Sequence, residues 1–155
     1  MKLKEGQSAP EFSLNDKSEK NHSLKDITNE YIVVYFYPKD NTPGCTIEAK
    51  RFSNTLKEFE KLNTTIIGIS GGDQKSKTKF CDKHNLKLTL LSDPDFKVSE
   101  SYGVYGEKSF MGKKYMGISR QTFILNKDHK IIKIYEKVKP LIHTKEVLEF
   151  IKGKQ

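Results

Sequence analysis

Tyr31-Ile32-Val33-Val34-Tyr35-Phe36-Tyr37 is an unbroken run of β-branched and aromatic residues. A run of this kind reads as a strand covered on both faces, the condition of an inner strand in an α/β sheet. It passes directly into Pro38-Lys39-Asp40-Asn41-Thr42-Pro43-Gly44-Cys45-Thr46. Thr42 reads as a helix N-cap and Pro43 as the first helical residue, which puts Cys45 in the first turn. Free N–H groups and the positive end of the helix dipole favour the thiolate there, and the thiolate is the reactive form. Strand and helix start together present one cysteine as a nucleophile.

Working outward, Phe52, Leu56, Phe59 and Leu62 continue that helix at spacings of four, three and three. Thr65 to Ser70 is the next strand, which closes a β-α-β unit and implies parallel pairing. Gly71-Gly72-Asp73 is a loop. Ser76 to Asn85 is a helix carrying Phe80 and Cys81, and its polar stretch from Lys75 to Lys79 suggests low local stability. Leu88 to Leu91 is a short strand, Asp93-Pro94-Asp95 a turn, and a helix follows through Phe96, Val98 and Tyr102. Gly103 to Gly117 reads as a long polar loop of the kind that serves a site. Gln121 to Leu125 and Ile131 to Tyr135 form a hairpin, and His143 to Lys152 is a closing helix. The pattern predicts one α/β domain over residues 1–155, a mixed sheet flanked by helices.

Composition narrows the function. The 155 residues carry a net charge of +8, but the lysines are scattered and only two residues, Arg51 and Arg120, are arginine. Base readout favours the arginine fork, so specific nucleic-acid binding has little to work with. No run approaches the roughly 18 apolar residues of a membrane helix. No apolar secretory segment follows Met1, and two cysteines without an export signal fit a reducing compartment, the cytoplasm by default. His22, His84, His129 and His143 form no metal-ligand spacing with a cysteine. Gly106 to Lys114 lacks phosphate-loop spacing.

Pro38-x-x-x-Thr42-x-x-Cys45 resembles the active-site motif of peroxiredoxins. The longer stretch from Tyr35 to Thr46 is similar to the bacterioferritin comigratory protein branch, or peroxiredoxin Q, and the likeness runs from Gly6 to about Lys152. The resemblance implies a thioredoxin-like fold with an N-terminal extension, and a thiol peroxidase for hydrogen peroxide and organic hydroperoxides. Such chemistry needs a thiolate to attack one oxygen of the O–O bond, and positive charge for the oxygen that leaves. By resemblance, Cys45 is the nucleophile, Thr42 offers its hydroxyl to thiolate and peroxide, and Pro38 shields the pocket. Arg120, in Gly117-Ile118-Ser119-Arg120-Gln121-Thr122-Phe123, matches the family's site arginine, and Glu48 a glutamate that orients it. Phe110 and Met111 are implied as apolar lining. No metal, flavin or haem is implied.

The Cys45 sulfenic acid must be resolved by a thiol or face overoxidation. Many relatives carry a resolving cysteine five residues on, where this chain has Lys50; some members of the branch place it in the helix that here holds Cys81. Cys81 is thus the candidate partner, beside two other readings: a buried apolar filler, or a one-cysteine enzyme reduced by an external thiol. If Cys81 does resolve Cys45, the helix start at Cys45, the helix at Cys81, or both are expected to unwind, because cysteines with Cα atoms beyond about 7 Å cannot bond without backbone movement. A thioredoxin-type donor would then restore the dithiol. The resemblance favours a monomer, with a weak dimer as the alternative. Two other classes compete: a disulfide reductase, which needs a Cys-x-x-Cys pair absent here, and a basic binding module indifferent to Cys45.

Overall fold

The computed structural model describes residues 2–154; Met1 and Gln155, the ends of the expected domain, lie outside the described residues. Tyr31–Phe36 forms β3, and all six of its residues are buried. Alternate residues serve opposite faces, as strand geometry requires. Tyr31, Val33 and Tyr35, with Tyr37 beyond the strand, pack among Phe52, Phe59, Phe80, Val147 and Ile151. Ile32, Val34 and Phe36 pack among Phe12, Leu24, Tyr102, Ile118 and Phe123. Two cores therefore meet across one strand.

The remaining elements are β1 (Ser13–Asn15), β2 (Asn21–Ser23), a 3-10 turn (Leu24–Asp26), α1 (Pro43–Asn54), α2 (Leu56–Lys61), β4 (Thr64–Ser70), α3 (Gln74–His84), β5 (Thr89–Ser92), α4 (Lys97–Ser101), β6 (Tyr105–Phe110), β7 (Lys113–Ile118), β8 (Gln121–Asn126), β9 (Ile131–Tyr135) and α5 (His143–Lys152). The main sheet has the order β2-β1-β5-β4-β3-β8-β9. β3, β4 and β5 run parallel, as the β-α-β reading expects, while β8 and β9 are antiparallel. The β1–β2 hairpin is the N-terminal extension, attached antiparallel to β5 through Asn15 and Ser92. The result is the mixed, helix-flanked sheet of a thioredoxin-like fold. No helix among the described residues is long and apolar enough to cross a membrane.

Three expectations need correction. The helix after Cys45 is not continuous: it stops at Thr55, whose hydroxyl donates to the Arg51 and Phe52 carbonyls, and restarts as α2. Such back-bonding from a β-branched residue competes with the helix ladder, and apolar spacing alone does not register it. The segment 103–117 is no loop but for the most part a two-stranded ribbon, β6 paired with β7 from Tyr105↔Ile118 to Phe110↔Lys113. Its turn puts Met111 and Gly112 at φ of 51° and 81°, the backbone hand that tight hairpins prefer. Its polar composition hid it because the ribbon stands outside the core. Phe110 and Met111 are therefore 66% and 87% exposed, at the ribbon's tip.

The third concerns α3. Its first half is polar in composition, yet Lys77 is fully buried and paired with Asp40 at 3.0 Å. Asp73 caps the helix by accepting from the Ser76 amide at 2.9 Å, and Asn85 closes it in the left-handed conformation. Composition alone therefore misses both the burial of Lys77 and the cap that anchor the first half of α3.

Candidate active site

Register decides which residues can meet. β3 runs antiparallel to β8 with Phe36 opposite Gln121. Arg120 thus lies at the level of Tyr37, where the chain turns toward α1. Thr42 occupies the N-cap position of that helix (φ −96°, ψ 156°), with Pro43 leading the first turn and Cys45 in it. Cys45 is 1% exposed. The Thr42 hydroxyl does not cap the helix; it donates to the Lys39 carbonyl at 2.9 Å. Its donor is used within the turn, and its lone pairs stay available. Pro38 is half-buried at the start of the same turn.

Arg120 and Glu48 complete the geometry. Glu48 is fully buried, one turn after Cys45, and its Oε1 accepts from Arg120 Nη1 at 3.0 Å. Burial works against the charged guanidinium, but the Cys45 sulfur and the Glu48 carboxylate outweigh it and hold its pKa above the ordinary value. Gly44 makes the close approach feasible: a Cβ there would stand 3.0 Å from Arg120 Nη2 and 3.6 Å from Pro140 Cγ. Glu48 is itself strained electrostatically. Burial pushes its carboxyl up to about 7, and the attraction of Arg120 offsets only part of that. Charge is costly in such a place unless it is paired, and here the pairing is one-sided: Glu48 Oε2 has no hydrogen-bond partner.

Four features were not visible in the sequence. Lys108 of β6 donates to the Ile118 carbonyl at 2.9 Å, close enough to Arg120 and Cys45 for both to act on its charge. His143 is buried against Thr122 Oγ1 at 2.7 Å, and burial with the nearby Arg120 lowers its pKa to about 4. Tyr35 is fully buried within electrostatic reach of Glu48, Cys45 and Cys81. Asp40 holds the turn down from beneath. Lys108 and His143 come from distant segments, and the burial of Tyr35 and Asp40, although both lie in the motif stretch, depends on partners far away in sequence. The Lys108 position alternates along β6, but a single lysine among 28 basic residues carries no signal of its own.

Cys81 lies elsewhere, in the third turn of α3. It is 3% exposed, packs in the same core as Cys45, and both are free thiols. Burial raises its pKa, with Lys17 acting in the opposite direction. It also lines a surface cleft with Lys17, Asp82, Asn85 and Leu88. Among the described residues no cluster of three His, Cys, Asp or Glu side chains could hold a metal ion.

A sequence profile of the AhpC/TSA family matches residues 6–134. Peroxiredoxin Bcp of Bacillus subtilis is 42% identical over 152 residues, 98% of this chain and 97% of that one. The solved Xylella fastidiosa PrxQ, a cysteine-to-serine mutant, superposes with a TM-score of 0.93 at 33% identity, covering 99% and 98% of the two chains. Xanthomonas campestris peroxiredoxin Q has been solved as two cysteine-to-serine mutants, at positions thirty-six residues apart (84 − 48), with TM-scores of 0.86 and 0.87 at 34% identity, covering at least 92% of this chain and 90% of theirs. The same organism's bacterioferritin comigratory protein has been studied structurally for alkyl peroxide reduction. A cysteine in the first turn of a helix, beside an arginine held by a buried glutamate, is thus found on a sheet shared with these enzymes from end to end, and the chain belongs to the AhpC/TSA family, as a thiol peroxidase of the peroxiredoxin Bcp, or peroxiredoxin Q, branch.

Proposed function

We propose that this chain, a single domain over residues 1–155, reduces hydrogen peroxide and organic hydroperoxides with Cys45 as the nucleophile and Cys81 as the resolving thiol. The observation that supports it most is the Arg120 guanidinium, held at 3.0 Å by buried Glu48 and within electrostatic reach of Cys45. The thiolate attacks the terminal peroxide oxygen. An S–O bond forms, the O–O bond breaks, and the departing alkoxide or hydroxide takes a proton to leave as alcohol or water. Arg120 stabilises that departing charge, with Lys108 as a second cation nearby. Thr42, whose hydroxyl donates to the Lys39 carbonyl, accepts from the peroxide O–H and orients it. Pro38 limits access of water. Pro140 beside Gly44, with exposed Leu141 and Ile142 and with Ile47 on the outer side of α1, offers apolar surface suited to an organic hydroperoxide.

In the second step the Cys81 thiol attacks the Cys45 sulfenic acid, forming a disulfide and releasing water. A dithiol donor of the thioredoxin type then reduces the disulfide by exchange. The spacing of Cys45 and Cys81 (81 − 45) equals that of the two cysteines substituted in the Xanthomonas protein. Two unbridged cysteines suit the cytoplasm. A monomer is proposed, with no specific nucleic-acid partner, the lysines being scattered.

The test is intact-mass spectrometry with peptide mapping after one equivalent of hydrogen peroxide on the reduced protein. A mapped Cys45–Cys81 bond supports the two-cysteine cycle. In Cys81→Ser the expected result is one added oxygen on Cys45, then two with excess peroxide. One added oxygen on Cys45 of the unaltered protein, with Cys81 free, would leave a one-cysteine peroxidase. A smaller effect is expected from Gly44→Ala: the guanidinium must give by a few tenths of an ångström, lowering kcat/KM on the order of tenfold with an unchanged melting temperature.

A further inference from the structure

Asp40 stands two residues before Thr42 and is buried with five donor contacts. Tyr37 Oη donates to its Oδ1 at 2.6 Å and Ser70 Oγ at 3.4 Å; Ser76 Oγ donates to its Oδ2 at 2.7 Å; Lys77 Nζ donates to both oxygens, at 3.2 and 3.0 Å. Lys77 Nζ also donates to Ser70 Oγ at 2.6 Å and the Gly72 carbonyl at 3.2 Å. Asp40 and Lys77 are therefore fully satisfied. The space around Asp40 is filled as well: a Cβ on Gly72 would lie 2.1 Å from Asp40 Oδ2, so only glycine fits.

The network joins the two segments that carry the cysteines. Asp40 belongs to the turn that leads into Cys45. Ser76 and Lys77 belong to α3, and Lys77 lies one turn before Cys81 on the same helix face. The next position on that face, His84, contacts Asn41 Oδ1 at 2.8 Å. Residues 40 and 41 thus grip α3 on both sides of Cys81. None of the contacts in this network is made with Cys45, Thr42, Glu48 or Arg120, and the first half-reaction has no use for a buried ion pair in α3.

We propose that Asp40 and Lys77 are positioning residues for the second half-reaction: their pair holds the Cys45 turn against the Cys81 helix, and its strength divides the Cys45 sulfenic acid between disulfide and overoxidation. The proposal rests on Cys81 as the resolving thiol. While the pair holds, Cys81 stays a buried, protonated thiol and the sulfenic acid waits. A second peroxide then converts it to the sulfinic acid, Cys45–SOH + ROOH giving Cys45–SO₂H + ROH. When α3 loosens, Cys81 gains access and the disulfide closes with loss of water. Breaking one member of such a pair strands the other charge in the packed state but not in the loosened one, where water reaches it. Weakening the latch therefore favours the disulfide.

The experiment compares the unaltered protein with Ser76→Ala and Lys77→Met. Three quantities are read: the rate of Cys45 reaction with hydrogen peroxide, the rate of Cys45–Cys81 closure, and the sulfinic fraction as peroxide is raised. Ser76→Ala removes one hydrogen bond without stranding a charge, so closure is expected to quicken about fivefold. Lys77→Met is expected to quicken it more, with less sulfinic acid and faster amide exchange in α3. The first rate is unchanged in both. Phe12→Leu, in the opposite core, lowers overall stability and leaves closure unaffected. If the unaltered protein forms the mapped disulfide and both variants close at its rate, the latch is wrong and Cys81 keeps its role. If the unaltered protein forms no such disulfide, the role of Cys81 falls and the latch with it. If Phe12→Leu quickens closure as Ser76→Ala does, the effect is general instability and the latch is refuted.

Discussion

Arg120→Gln is expected to slow the reaction of Cys45 with hydrogen peroxide by about 10²–10³-fold, the usual loss when a preorganised donor for developing negative charge is removed. The side chain does two things at once, acting electrostatically on Cys45 and donating to Glu48 Oε1 at 3.0 Å. Glutamine keeps some hydrogen-bonding capacity and loses the charge, so the defect belongs to the leaving oxygen more than to peroxide binding. Arg120→Lys keeps the charge but has no planar fork to hold two partners. It is expected to recover only part of the loss. Stopped-flow measurement of peroxide consumption by the reduced enzyme checks both. A lysine variant as fast as the unaltered protein would show that charge alone suffices and that the Glu48 contact is idle.

Much of the fold could be read from the chain because its signals are local. The run Tyr31 to Tyr37 announced a two-sided strand, and the Thr42-Pro43 start placed Cys45 in its turn. Arg120 followed from scarcity as well as resemblance, since only one other arginine exists. What stayed hidden depends on pairing between distant segments. Lys77 reads as one more surface lysine, because the carboxylate that makes its burial tolerable is thirty-seven residues away (77 − 40). Lys108 reaches the site only because β6 and β7 form a ribbon that composition presented as a loop. The cap position of Thr42 was legible from residue type, whereas the partner of its hydroxyl, the Lys39 carbonyl, was set by the rotamer.

The same long-range burial produces the second large effect, a compensated dependence of stability on pH. Glu48 has a folded pKa of about 7, above its ordinary 4.5. Between those values the folded state holds a proton that the unfolded state has released. The favourable contribution of Glu48 is complete below pH 4.5 and is lost as pH rises through 7. His143 does the reverse. Its folded pKa of about 4 lies below the ordinary 6.5, so its contribution is complete above 6.5 and is lost as pH falls through 4. From 4.5 to 6.5 the two slopes oppose each other, each about 1.4 kcal/mol per pH unit, and cancel. Glu48→Gln keeps an acceptor for Arg120 and removes one slope, so stability is expected to fall by roughly 3 kcal/mol as pH drops from 6.5 to 4.5. His143→Gln removes the other, and stability is expected to rise by a similar amount over the same interval. Urea unfolding at several pH values checks both variants against the unaltered protein, whose share from these two groups is flat. A flat profile in His143→Gln, with Glu48→Gln parallel to the unaltered protein, would mean that Glu48 is ionised at pH 5 despite its burial, with Arg120 fully compensating it.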